Sequence, residues 1–261
     1  MDHFTTRQKG WGFSIQLLWI AGALAVIGLF LFAGVQPLFL EEPRRSIVAM
    51  ELLRNANWWV PTQLGQLYYK KPPFFNWLLI LSAKLFGDFY PFAMRVPTIL
   101  STIGIGVLTV FMGKKYVNTR FGWEAALLTV TSGGIFFYFS TLAEIDLFYS
   151  FITLSLFYSI YHFDQINKKY LLFLVVYLLT TIGFLTKGMP SLVFTALSLL
   201  TYFIMNKRFK ELFFLPHILG ILLFFSLSGG YYWIYSQYAD PIPYLSMLLG
   251  ESSDRTLANT S

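Results

Sequence analysis

Seven stretches of this chain contain no charged residue: 12–35, 96–113, 125–143, 147–163, 170–186, 188–206 and 212–239. A helix needs about 20 apolar residues to cross the roughly 30 Å of hydrocarbon in a bilayer, and only helices or closed barrels satisfy their backbone there. The runs predict an all-α, polytopic transmembrane helix bundle of about seven spans within residues 1–239, with residues 240–261 in an outer loop. Composition agrees: 12% of the 261 residues are charged, against about 25% in soluble domains, and 20% are aromatic. The first run is too long for a signal-peptide core and lacks a small-residue cleavage site, so it reads as a retained anchor. The run 72–83 is too short to span and ends at Lys84, which fits an interfacial or re-entrant helix.

Charge sets the orientation. With seven crossings, the N-terminus and the connections near 114–120, 164–169 and 207–210 share one side. These carry Arg7, Lys9, Lys114, Lys115, Arg120, Lys168, Lys169, Lys207, Arg208 and Lys210, which the positive-inside rule places in the cytoplasm. The outer side receives residues 36–95, the Glu144/Asp146 turn, the Lys187 turn and the tail from Asp240. The net charge of +6 thus orients helices and is no footprint for nucleic acid. The absence of cysteine excludes disulfides and thiol catalysis. His3, His162 and His217 show no metal-ligand spacing, and His217 reads as structural.

The outer side holds every unusual cluster. A connection as long as 36–95 is usually functional. Pro43 suits the first turn of a helix, so "PRRSIVAMELLR" is expected to form a short surface helix with Glu41 and Glu42 at its mouth. Trp58, Trp59, Tyr68, Tyr69 and Trp77 make an interfacial aromatic set. Lys70 and Lys71, ahead of Pro72 and Pro73, oppose the orientation signal and call for an anion: either lipid head groups or a specific phosphate, to which Arg44 could add a bidentate clamp. Glu144 and Asp146 either mark helix ends or supply a second acidic site. Lys187 either snorkels to the interface or faces the same cavity. Two acidic sites beside a basic one are what a group transfer at a membrane surface requires, with a carboxylate to activate a nucleophile and cations to stabilise a departing phosphate.

The stretches "EEPRRS", "WWVPTQLGQLYYKKPP", "MRVPT", "AEID" and "FLTKGMP" occur in an order that resembles the bacterial membrane glycosyltransferases of the GT-C superfamily. The resemblance is to the undecaprenyl-phosphate aminoarabinose transferases that modify lipid A and to protein mannosyltransferase-like enzymes, and it covers residues 11 to about 240. It implies a polyprenyl-phosphate-linked sugar as donor, a lipid, glycan or protein acceptor, no nucleotide, and inverting transfer on the periplasmic face of a bacterial cytoplasmic membrane. It places the catalytic base at Glu41, where most relatives carry aspartate, with Glu42 able to share the task. The second acidic site falls on Asp146, with Glu144 a possible substitute. Arg44 and Lys71 would face the donor phosphate, and Tyr69 and Lys187 would line the substrate site. Lys70 stands where relatives commonly carry a glutamate that can help hold a metal, which argues against a metal at that spot; metal dependence otherwise stays open. Family members are longer, so the chain is expected to be an N-terminal portion. The rival readings are a transporter, a non-catalytic membrane subunit or an inactive truncated relative. A transporter would bury ionisable residues at mid-span and often show a repeat; here the spans hold almost no mid-membrane charge and show no repeat.

Overall fold

The structure, a computed structural model, describes residues 14–31 and 33–247. His3, Arg7, Lys9 and the tail 248–261 lie outside the described residues. Helices form at Ile15–Leu31 (α1), Glu42–Arg54 (α2), Phe74–Phe86 (α3), Pro91–Tyr116 (α4), Thr119–Val130 (α5), Gly133–Phe137 (α6), Ile145–Gln165 (α7), Lys169–Lys187 (α8), Pro190–Met205 (α9) and Leu215–Tyr235 (α10). Between α2 and α3 a small antiparallel hairpin pairs Thr62–Gln63 (β1) with Gln66–Leu67 (β2).

Every charge-free run contains helix, but the run 125–143 is not one helix. α5 ends at Val130 after 12 residues, Ser132, Gly133 and Gly134 open α6, and α6 with the following 3-10 turn is bent 120° away from α7. Hydropathy sums side chains and is blind to this break, because two successive glycines are apolar yet make a poor helix interior. Three helices, α4, α8 and α10, are long and apolar enough to cross a membrane, or up to four if the bent pair counts as one span. With 17 and 16 residues, α1 and α9 extend only about 26 and 24 Å.

Three cores hold the bundle, the smallest joining Leu29 and Ala33 to Ile99 of α4 and Val130 of α5. Of the other two, one surrounds α8, whose Leu172, Phe173, Val176 and Phe184 meet Leu156 and Ile160 of α7, Phe203 of α9 and Phe224 of α10. The other seats α2 and α3 on the start of α7, joining Val48, Ala49 and Leu52 to Phe75, Leu79, Ile80, Ile145 and Phe148. α4 and α5 approach closely because neither Gly113 nor Gly122 has a side chain: a Cβ on Gly113 would lie 2.3 Å from Gly122 Cα. Such small-residue contacts are how helices associate where lipid competes with side chains. Buried hydroxyls inside the bundle are satisfied locally, as when Thr180 and Thr181 donate to the carbonyls four residues back.

Charge is confined to the two ends of the bundle. At one end, Asp164 of α7 accepts from Lys169, Arg208 and the Tyr202 hydroxyl, Lys169 also pairs with Glu211, and Lys115 and Tyr116 contact His162. The His217 ring lies between the Tyr177 hydroxyl and the Leu212 carbonyl. Both histidines are thus engaged in packing contacts. The opposite end holds α2, α3 and the residues considered next.

Candidate functional site

Pro43 occupies the first turn of α2 and Glu41 caps it, as the proline signal anticipates. Consecutive helical residues point about 100° apart, so the two glutamates of the pair face different surroundings. Glu41 is half exposed and forms an ion pair with Arg44, one turn on. Glu42 has no solvent exposure. Its Oε1 accepts from Arg95 Nε at 2.9 Å and from the Ala143 N–H at 2.7 Å; its Oε2 accepts from Arg95 Nη2 at 2.8 Å and from the Phe39 N–H at 3.0 Å. All four of these contacts are internal, so in this state Glu42 does not present itself to a substrate.

Arg95, 1% exposed, gives its remaining hydrogens to the carbonyls of Ala33, Gln36 and Pro37 at 2.9–3.0 Å. The Arg95 guanidinium therefore joins α4 to the segment after α1 and the start of α2, and the Glu42 carboxylate extends the link to the turn before α7. A buried charge is tolerated when it is paired and its donors are filled, as here.

A second link runs parallel. Arg45 is buried and reaches Glu144 Oε2 with Nη2 at 3.3 Å and Nε at 3.4 Å, while Thr98 of α4 donates to the Glu144 carbonyl at 3.2 Å. Glu144 Oε1 is buried without a hydrogen-bond partner. Burial pushes the Glu144 carboxyl above its ordinary range, and the Arg45 charge opposes that rise without cancelling it.

Two residues further on, Asp146 accepts from Lys187 Nζ at 2.7 Å, and the same ammonium lies 5.0 Å from the Tyr149 ring centre. Lys187 can reach because α8 ends beside the first turn of α7: Gly188 takes φ = 77°, a conformation suited to glycine, and its N–H closes on Phe184. The chain returns into α9 within two residues.

The structure thus brings together the opening acidic pair and the acidic turn, through Glu42 to Ala143 and Arg45 to Glu144, and adds Lys187. Lys71 is half buried three residues before α3. Phe74 and Phe75, at the start of α3, lie against Phe148, two residues beyond Asp146, with ring centres 5.9 and 5.8 Å apart. That contact brings the Lys71 segment alongside the acidic turn. Tyr69 follows β2 in irregular chain, its ring 6.0 Å from that of Tyr244. Arg45 and Arg95 have no role in the sequence reading. A signal for Arg45 was available, since Glu42, Arg45, Ser46, Ala49 and Leu52 follow helical spacing and are all buried.

Among the described residues no three histidine or acidic side chains converge, and Glu41 and Asp146 each pair with a cation.

A helical bundle with a cluster of acidic and basic side chains at the end that carries α2 and α3 has the architecture of the GT-C membrane glycosyltransferases. The chain belongs to the dolichyl-phosphate-mannose-protein mannosyltransferase family, whose sequence model matches residues 70–233. It is 28% identical over 202 residues to an undecaprenyl phosphate-alpha-4-amino-4-deoxy-L-arabinose arabinosyl transferase of Pseudomonas savastanoi, covering 73% of this chain and 37% of that one. It is 30% identical over 175 residues to the enzyme of the same name from Yersinia enterocolitica, covering 66% and 31%. The crystal structure of ArnT from Cupriavidus metallidurans in the apo state superposes with a TM-score of 0.77 at 16% identity, over 87% of this chain and 43% of that one. The same protein bound to undecaprenyl phosphate gives 0.71 at 15% identity, over 86% and 42%. The chain therefore spans about two fifths of the length of these relatives or less.

Proposed function

We propose that this chain carries the donor side of a glycosyltransferase site, moving a sugar from a polyprenyl-phosphate carrier to a hydroxyl of a lipid, glycan or protein acceptor. The observation that carries the reading is the ion pair of half-exposed Glu41 with Arg44, whose helix is tied by two buried links to the turn that carries the Asp146–Lys187 pair. Names of the relatives point the same way: the bacterial ones are called undecaprenyl-phosphate-sugar transferases.

In the proposed reaction the Glu41 carboxylate takes the acceptor hydroxyl's proton while that oxygen bonds to the anomeric carbon. The carbon–phosphate oxygen bond breaks, and its electron pair leaves on the lipid phosphate, with inversion at the sugar. Arg44 and Lys71 stabilise the charge that develops on that phosphate, Arg44 as a fork and Lys71 as a point charge. Asp146 and Lys187 orient the sugar, with Glu144 behind them, and Tyr69 lines the site from the segment before Lys71. At rest Glu41 and Arg44 neutralise each other. Because water reaches the half-exposed Glu41 and screens the pair, an arriving phosphate can take Arg44 and release Glu41 as a base. Glu42 serves as the anchor of the α2 start.

The face is proposed to be periplasmic, in a bacterial cytoplasmic membrane crossed up to seven times. In support, Lys114, Lys115, Lys168, Lys169, Lys207 and Arg208 cluster at the opposite end, as the positive-inside rule expects. The test is transfer from a radiolabelled undecaprenyl-phosphate sugar by the full-length protein. Glu41→Gln should lower the rate about 10²–10⁴-fold and Lys71→Ala should lower it strongly as well. Equal rates in all three proteins would overturn the assignment.

A further inference from the structure

We infer that the groove between α1, α4 and α5 is a phospholipid site: it takes one acyl chain of an anionic phospholipid from the leaflet at the basic end of the bundle, with Lys114 at the head group. This goes beyond the proposed transfer and does not rest on it. The groove measures about 480 Å³, within the range of small-molecule sites. Apart from the indoles of Trp19 and Trp123, its walls are aliphatic side chains and glycines, among them Val26 of α1, Val107 and Val110 of α4 and Leu127 of α5.

The three helices set its length and direction. Along α1 the lining runs from Trp19 to Leu29, a rise of about 15 Å, which is half of the roughly 30 Å of hydrocarbon and so the depth of one leaflet. The far end is closed, because Leu29 and Val130 are buried against Ile99. At the near end Trp19 meets Trp123, ring centres 4.3 Å apart, a pair suited to head-group depth. Gly22 admits the Trp123 ring, since a Cβ there would lie 2.8 Å from it. Val26 and Val107 are exposed, so the groove opens sideways, toward lipid. Water finds no hydrogen-bond partners on aliphatic walls, and an empty groove forfeits their dispersion contacts. A chain of methylenes restores those contacts.

Charge at the near end selects the head group. Lys114 follows Ile103, Val107 and Val110 at helical spacing, which puts it on the groove-lining face of α4, one turn beyond Val110. It is exposed and has no carboxylate partner among the described residues. The neighbouring cations are engaged: Lys115 Nζ lies 2.9 Å from His162 Nδ1, and Arg120 Nε lies 3.0 Å from Glu124 Oε1. An ammonium without a partner at the mouth of an acyl-chain groove complements a phosphodiester of net negative charge, and basic rims between membrane helices are where anionic head groups are recognised. A zwitterionic head group brings its own cation and gains less from Lys114.

The test is tryptophan fluorescence of the full-length protein in uncharged detergent micelles, titrated with phosphatidylglycerol brominated in mid-chain and, separately, with brominated phosphatidylcholine. The site's signal is the part of the quenching that Trp19→Phe/Trp123→Phe removes. In wild type that part should half-saturate at a concentration at least about fivefold lower for phosphatidylglycerol than for phosphatidylcholine. Lys114→Glu should erase the ratio. Ala23→Phe, which fills the groove from an exposed position, should weaken both lipids at least about tenfold, with melting temperatures unchanged in both variants. Absence of this quenching component in wild type would overturn the inference, since another part of the polypeptide would then fill the groove, and so would quenching that Ala23→Phe leaves unaltered. Equal half-saturation by the two lipids in wild type, or a ratio that survives Lys114→Glu, would overturn the choice of an anionic lipid.

Discussion

Replacing Arg95 with methionine strands a carboxylate that has no solvent exposure. Arg95 makes five hydrogen bonds, two to Glu42 and three to the carbonyls of Ala33, Gln36 and Pro37, and Glu42 would keep only the Phe39 and Ala143 N–H groups. Removing one partner of a buried pair costs about 3–5 kcal/mol, because the other charge remains buried alone. Glu42→Gln should cost a similar amount, this time by stranding the guanidinium. The double variant removes both charges together. Were the sites independent, the two costs would sum to about 6–10 kcal/mol; as a coupled pair, the double variant should cost little more than either single change. The assay is SDS-titrated unfolding of the full-length protein in mixed micelles, followed by tryptophan fluorescence. Costs that add to within about 0.5 kcal/mol would refute the claim that this ion pair joins α2, α4 and the turn before α7.

Two further predictions concern Glu144 and the α4–α5 contact. The folded-state carboxyl of Glu144 lies above its ordinary value, so its contribution to stability is full below that ordinary value and is lost as pH rises through the raised one. The melting temperature of wild type minus that of Glu144→Gln should therefore fall as pH increases through that window; a difference that grows with pH would mean that the Arg45 pairing outweighs burial. Gly113→Val should destabilise by at least about 1–3 kcal/mol in the same SDS titration, since even a Cβ there meets the Gly122 backbone, whereas Gly133→Ala, with open space around it, should be close to neutral.

The sequence made the helices legible because a charge-free run that leaves water has few alternatives to α-helix. The surface helix after Glu41 was legible through Pro43. The interruption of 125–143 was not, because Gly133 and Gly134 register as apolar in any hydropathy sum. At the site, Glu41, Arg44, Glu144, Asp146 and Lys187 stood out as charges beside apolar runs, but their pairing did not. Arg95 and Glu42 are 53 residues apart and Arg45 and Glu144 are 99 apart; such contacts are set by how α4 and α7 pack, which no local pattern records. The differing fates of Glu41 and Glu42 were not legible, since each shares helical spacing with buried residues of α2, Glu41 with Val48 and Leu52 and Glu42 with Ser46 and Ala49.

The most direct test of the account is a cryo-electron microscopy structure of the full-length protein in lipid nanodiscs with undecaprenyl phosphate. The account predicts the phosphate at the α2 end, with the Arg44 guanidinium and the Lys71 ammonium about 2.7–3.0 Å from its oxygens and the Glu41–Arg44 pair opened. A phosphate bound at the opposite end beside Lys169 and Arg208, or at the α2 end with the Glu41–Arg44 pair intact and Lys71 turned away, would contradict it.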